Sequence, residues 1–173
     1  MPMPIARQFT FALVLGFLCL LSACGFQLRG TGGSSVPESW SKMHLITSNP
    51  NGELSRELQS TFAANGVIWV DREEANYLLN VGPEKFSHRN LSLNAQARAA
   101  EFELTLATNF AVNDAQGVEV MESAKASVVK QMENDPRNVV GKAEEVRILR
   151  AEMRTELINQ IMRRIGYFAA STQ

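Results

Sequence analysis

Cysteine is nearly missing from this chain: it has two, Cys19 and Cys24, both near the N-terminus. No pair remains to bridge the rest of the sequence, so a domain there has only its packed core to hold it. Histidine is as scarce, with His44 and His88 far apart and without a Cys or His partner at metal spacing, which leaves no ligand set for a metal. Cationic excess is absent too, since 17 basic residues face 18 acidic ones. A chain so balanced has no bulk field with which to bind nucleic acid or an anionic membrane, and any anion site must be local. Nucleophile elbows, phosphate loops and zinc-protease helices are all lacking. Adjacent acidic pairs, Glu73-Glu74 and Glu144-Glu145, diverge on a helix and read as solvated charge, and Trp40 and Trp69 read as packing residues. These lacks leave no catalytic residue to name.

What is present begins at the N-terminus. Arg7 supplies a positive start, Phe9 to Leu21 form an apolar run, and Ser22-Ala23 are small residues placed before Cys24. The run is shorter than the roughly 20 apolar residues of a membrane-spanning helix, and its three parts are those of a secretory signal. A small-small-Cys ending is the pattern at which a lipoprotein signal is cut and the new N-terminal cysteine acylated. A plain secretory signal and an uncleaved anchor are the alternatives. The expected organisation is residues 1–23 as a cleaved signal, 24–37 as a lipidated cysteine with a flexible tether, and 38–173 as one domain. The tether is rich in Gly and Ser from Thr31 to Ser35. Loss of 1–23 removes one basic residue and no acidic one, which leaves a net charge of −2. Gly25 follows the cysteine where aspartate commonly marks inner-membrane retention, so the expected destination is the outer membrane.

Within the domain, Met43 to Thr47 read as a first strand, closed by the turn residues Ser48 to Gly52. Leu54, Leu58 and Phe62 recur at helical spacing from Glu53 to Ala64, and Asn65-Gly66 supply a left-handed stop. Val67 to Val70 and Tyr77 to Val81 are strand-like, and beyond Pro83 the segment Phe86 to Leu93 continues as an extended arm. From Glu101 to Asn113, Phe102, Leu104, Leu106, Phe110 and Val112 alternate with polar residues, a half-buried strand. Asp114 to Gly117 form a hairpin turn, and Val118 to Met132 return with Val118, Val120, Ala124, Ala126 and Val128 on one side. Asn134-Asp135-Pro136 stop that strand, with Asp135 placed to cap a turn. Val146, Leu149, Met153, Leu157, Ile161 and Ile165 then define an amphipathic helix from about Ala143 to Tyr167. The predicted class is α+β: two helices on one face of a four-stranded, largely antiparallel sheet, in the order strand, helix, three strands, helix.

One charge pattern stands out. Arg147, Arg150 and Arg154 fall on one flank of the last helix, with Glu145, Glu152 and Glu156 on the other. Like charges in a row repel by a few tenths of a kcal/mol per pair unless something anionic faces them. The guanidinium fork matches a phosphate, and carboxylates of the sheet or of a partner, or water, are the alternative neutralisers. Arg98, entering the alternating strand, is a further candidate for that surface.

The head Cys24-Gly25-Phe26-Gln27-Leu28-Arg29-Gly30 resembles that of the outer-membrane lipopolysaccharide-assembly lipoproteins, the LptE family. The likeness continues through Asn49-Pro50-Asn51-Gly52-Glu53-Leu54-Ser55-Arg56, Ala100-Glu101-Phe102 and Asn134-Asp135-Pro136, in order along nearly the whole mature chain. The resemblance implies two helices on a four-stranded sheet, seated in the lumen of the large β-barrel LptD as a one-to-one plug and barrel. That complex inserts lipopolysaccharide into the outer leaflet, and the lipoprotein helps the barrel assemble and binds lipopolysaccharide. Basic residues implied for that contact fall regionally near Arg98 and Arg150, without a residue-by-residue match. No cofactor is implied beyond the diacylglyceride and fatty acid on Cys24. Two other classes stay open: an adaptor lipoprotein of another envelope machine, and a periplasmic hydrolase with a dispersed site.

Overall fold

The structure, a computed structural model, describes residues 36–93, 99–133 and 139–172. Cys24 with the signal and tether, Arg98, and Asn134-Asp135-Pro136 lie outside the described residues.

A turn of 3-10 helix at Glu38–Trp40 leads into β1, Lys42–Thr47. Helix α1 covers Glu53–Ala64 and buries the predicted stripe, Leu54, Leu58 and Phe62, together with Ser55. It ends at Asn65, and Gly66 takes φ +94°, a conformation that a side chain resists. Strands β2 (Ile68–Trp69), β3 (Tyr77–Val81), β4 (Lys85–Leu93), β5 (Ala99–Asp114) and β6 (Glu119–Glu133) follow, and helix α2 spans Val139–Ser171.

The general α+β expectation holds, but the sheet is neither four-stranded nor wholly antiparallel. It has six strands, and β1 pairs in parallel with both β2 and β3. Parallel pairing requires a crossover, and α1 supplies the one between β1 and β2. The arm at 86–93 is a full strand, with Phe86 opposite Leu106 and Arg89 opposite Glu103. β3 and β4 lie end to end along the same edge of β5: Val81 faces Phe110, and Lys85 faces Ala107. They are one line of chain with an extra residue at Gly82-Pro83-Glu84. Pro83 has no N–H for the ladder, which is why the pairing pauses there.

The bulge is held by its own bonds. Gly82 N–H donates to the Asn109 carbonyl at 2.8 Å, and Thr108 Oγ1 donates to the Gly82 carbonyl at 2.8 Å. A Cβ on Gly82 would stand 3.3 Å from that Asn109 oxygen, so the close approach favours glycine.

The alternating residues of β5 do line the core. Leu104, Leu106, Phe110 and Val112 are buried, with Thr108 the polar member of the same row. The β5–β6 turn is as predicted: Gly117 has φ +86°, and Asp114 Oδ1 accepts from the N–H groups of Gln116 and Val118. Val118 itself is exposed in the turn, and β6 slips in register between Met121 and Ala124, so its inward row is Ala124, Ala126, Val128 and Met132 instead of one unbroken alternation. From α2 come Met153, Leu157, Ile158, Ile161, Met162, Ile165 and Ala169, and both helices meet the sheet in a single buried cluster. Trp40 packs as expected, stacked on Tyr77 at 3.8 Å, and Trp69 Nε1 donates to the Gln59 carbonyl at 2.9 Å.

Candidate functional site

Three elements converge where the line of β3 and β4 breaks. The bulge re-phases the strand so that Glu84 faces the helix layer, opposite Thr108. α2 passes over it and lowers two arginines one turn apart. Arg154 Nε donates to Glu84 Oε2 at 2.7 Å and its Nη2 to Oε1 at 3.3 Å. Arg150 donates to Glu84 Oε1 through Nε at 2.9 Å and Nη2 at 2.5 Å. Arg154 also reaches Glu53 at the start of α1, at 2.9 Å. Sheet and both helices are therefore tied through one guanidinium, that of Arg154.

Burial differs along the arginine flank. The Arg154 side chain is 7% exposed and that of Glu84 is 12%, whereas Arg150 is 41% exposed and stacks over the Phe86 ring. Arg147 does not join them. It forks onto Glu144 of its own helix at 2.6 and 2.9 Å, with both side chains open to solvent. Of the neutralisers the spacing left open for Arg150 and Arg154, which were a phosphate, a carboxylate of the sheet or of a partner, and water, the sheet carboxylate is the one observed. Of the acidic flank, Glu152 pairs with Lys130 of β6 at 2.8 Å.

The electrostatics follow from that geometry. Burial pushes the Glu84 carboxyl up, but hydrogen bonds from Arg154 and then Arg150, with their charges, outweigh it and hold the group below the usual carboxylate range. Its hydrogen bond to Glu84 raises Arg154 further, against its own burial. A carboxylate kept ionised by two guanidiniums stores no proton near neutral pH, so this cluster is an electrostatic fastening, unsuited to acid or base chemistry. His44 and His88 behave as ordinary side chains: His44 Nδ1 lies 2.9 Å from the Val70 carbonyl, and His88 meets the Phe102 ring edge-on.

An open cleft of about 480 Å³ lies beside the cluster, between the β1–α1 loop and α2. Thr47, Asn49, Arg56, Glu84, Arg150 and Arg154 line it. Of the candidates Arg98, Arg147, Arg150 and Arg154, the structure brings the last two together, keeps Arg147 apart, and does not describe Arg98.

Sequence reasoning missed Glu84, which lies 66 and 70 residues from its partners. Two signals were available. Gly82-Pro83 interrupts a strand, and Thr108 is the polar residue in an otherwise apolar inward row.

The family model and the curated relatives name one family, and solved structures share the fold. The LptE model, described as lipopolysaccharide-assembly, matches residues 41–165. Proteins called LPS-assembly lipoprotein LptE from Yersinia pestis (strain Pestoides F) and from Yersinia pseudotuberculosis serotype O:1b are each 30% identical over 167 residues, covering 92% of this chain and 76% of theirs. The crystal structure of rare lipoprotein B from Shewanella oneidensis superposes with TM-score 0.62 at 28% identity, covering 76% of this chain and 95% of that one. Lipoprotein B of Nitrosomonas europaea shares the fold, with TM-score 0.71 at 21% identity over 84% of this chain and 93% of that one.

Proposed function

Because the chain belongs to the LptE family of lipopolysaccharide-assembly lipoproteins, we propose that it is held at the outer membrane by lipid on Cys24 and fills the lumen of the β-barrel LptD. There it helps the barrel assemble and takes part in delivering lipopolysaccharide to the outer leaflet, without catalysing a reaction. The supporting observation is the sheet face opposite the two described helices. Asn80, Thr105, Asn109, Asn113, Lys125 and Ser127 occupy that face by strand alternation, with Asn80 Nδ2 bonded to Asn113 Oδ1 at 2.6 Å. These amides and hydroxyls, which share the face with Leu78, Ala111 and Val129, suit the polar interior of a wide barrel, which would otherwise be an aqueous channel. Affinity capture on a tagged chain tests this: a large barrel protein recovered in equal amount is expected, and recovery of other envelope proteins without a barrel overturns it.

Lipopolysaccharide contact is proposed for the exposed arginines Arg147 and Arg150, with Arg98, outside the described residues, as a further candidate, while Arg154 positions the flank from below. Arg147→Asp with Arg150→Asp should weaken capture on immobilised lipopolysaccharide by about tenfold, the loss of two charge-assisted bonds partly replaced by water. Unchanged capture by a variant with the parent's circular dichroism spectrum counts against the flank.

A further inference from the structure

β6 pairs with β5 on one side, from Glu119 to Glu133. Alternate residues of such a strand turn their N–H and C=O groups away from the partner, so the far side of β6 carries a row of backbone donors and acceptors. A row of that length is a template on which an extended chain can add a strand. In its middle, two groups are occupied by side chains of α2. The Ser127 N–H donates to Gln160 Oε1 at 3.0 Å, and Arg164 Nη1 donates to the Lys125 carbonyl at 2.8 Å. These two groups flank Ala126, and an antiparallel strand added here would meet the Ser127 N–H with the C=O of one residue and the Lys125 C=O with the N–H of the residue two further along. Gln160 supplies the acceptor and Arg164 the donor. The two stand four residues apart on one helix flank, and the neighbouring Ile161 and Ile165 are fully buried, which fixes the flank over the edge.

We propose that Gln160 and Arg164 form a strand-like cover over the β6 edge, and that the surface beneath them is a self-pairing site for β6 of a second copy of this chain. The edge is its own complement. Two β6 strands laid antiparallel about Ala126 offer the Lys125 carbonyl of each to the Ser127 N–H of the other, an isologous contact. In that alignment Lys125 faces Ser127, so no like charges oppose each other beside the dyad. The cover keeps the protein a monomer. This inference does not depend on the barrel reading.

Sedimentation velocity on the full chain in density-matched detergent, over a concentration series, tests it. Gln160→Ala with Arg164→Ala should dimerise at concentrations where the parent is monomeric. In the dilute monomer, its Ser127 amide should exchange about tenfold faster, the loss of one hydrogen bond. Gln160→Glu with Arg164→Lys keeps an acceptor and a donor and should stay monomeric. A folded double-alanine variant that remains monomeric to its solubility limit overturns the proposal, as does a parent already dimeric at the same concentrations. Should the double-alanine variant fail to fold, Gln160→Ala alone is expected to dimerise more weakly, and a monomer there overturns the proposal equally.

Discussion

The two halves of the sheet, on either side of the Gly82-Pro83-Glu84 bulge, are built differently from one continuous strand pair. On the side of the β5–β6 turn the sheet is five strands wide, β2, β1, β3, β5 and β6, and α1 joins α2 over it. Met43, Leu58, Phe62, Leu79 and Val112 there are fully buried. On the other side three strands, β4, β5 and β6, continue as a ribbon, and His88, Arg89, Asn90 and Leu91 are exposed. Phe86 and Phe102 are only partly covered, Phe102 by the ammonium of Lys142 at 4.0 Å and the edge of His88. Burial per residue therefore concentrates in the turn half, and the ribbon is held to it through the bulge. The difference teaches where stability and adaptability reside: the wide half carries the fold, and the ribbon presents side chains to whatever surrounds the protein.

Cutting the wide half should cost most. Phe62→Ala removes a fully buried ring beneath α1 and against Trp69, and should lower unfolding free energy by about 3–5 kcal/mol. Phe102→Ala, in the ribbon, should lower it by about 1–2 kcal/mol because its ring is already partly wet. Urea titrations of both variants measure the contrast, and equal losses would erase the distinction between the halves.

The fastening between the halves comes next. Arg154→Met leaves Glu84 mostly buried with Arg150 alone, and should cost about 2–4 kcal/mol. Glu84→Gln examines the same joint through pH. The carboxyl of Glu84 is held below its ordinary value of 4.5 in the folded chain. Its contribution is thus complete above that ordinary value and is lost as pH falls through the lower folded one. Unfolding free energies at pH 7 and pH 3 should fall further apart in the parent than in Glu84→Gln. The same slope in both would mean that the acid response comes from elsewhere.

Legibility in the sequence divides along the same line. Local patterns were readable: α1 from Glu53 to Ala64, the glycines at 66 and 117, β3 from Tyr77 to Val81 and the inward row of β5 all follow from spacing within one element. Family membership was also readable from the motifs that begin at Cys24. The misreadings were of strand number and pairing, and of Val118, expected on an inward row but exposed in the turn. Parallel contact of β1 with β3, and the recruitment of 85–93 as a strand along β5, depend on pairings between separate elements, to which periodicity within one element is blind. The arginine flank was found as a pattern on one helix, but its counter-charge sits on a bulge far upstream. Composition offers no register for such a meeting, and only the Gly82-Pro83 break and the misplaced Thr108 hinted at it.

The smallest expected effect belongs to the ribbon's own ion pair. Arg89 and Glu103 face each other across β4 and β5, bonded twice at 2.6 and 3.1 Å, and the arginine side chain is 70% exposed. Water solvates both partners once they separate, and salt screens them while they are joined. The hydrogen bond from Arg89 nonetheless outweighs desolvation and holds the Glu103 carboxyl below its ordinary range. Arg89→Ala should therefore let Glu103 titrate at a higher pH, followed by the chemical shift of its carboxyl carbon, while leaving the urea midpoint unresolved from the parent's. A midpoint that dropped as far as in Phe102→Ala would show that cross-strand charge, and not the bulge and its arginines, keeps the ribbon on the sheet.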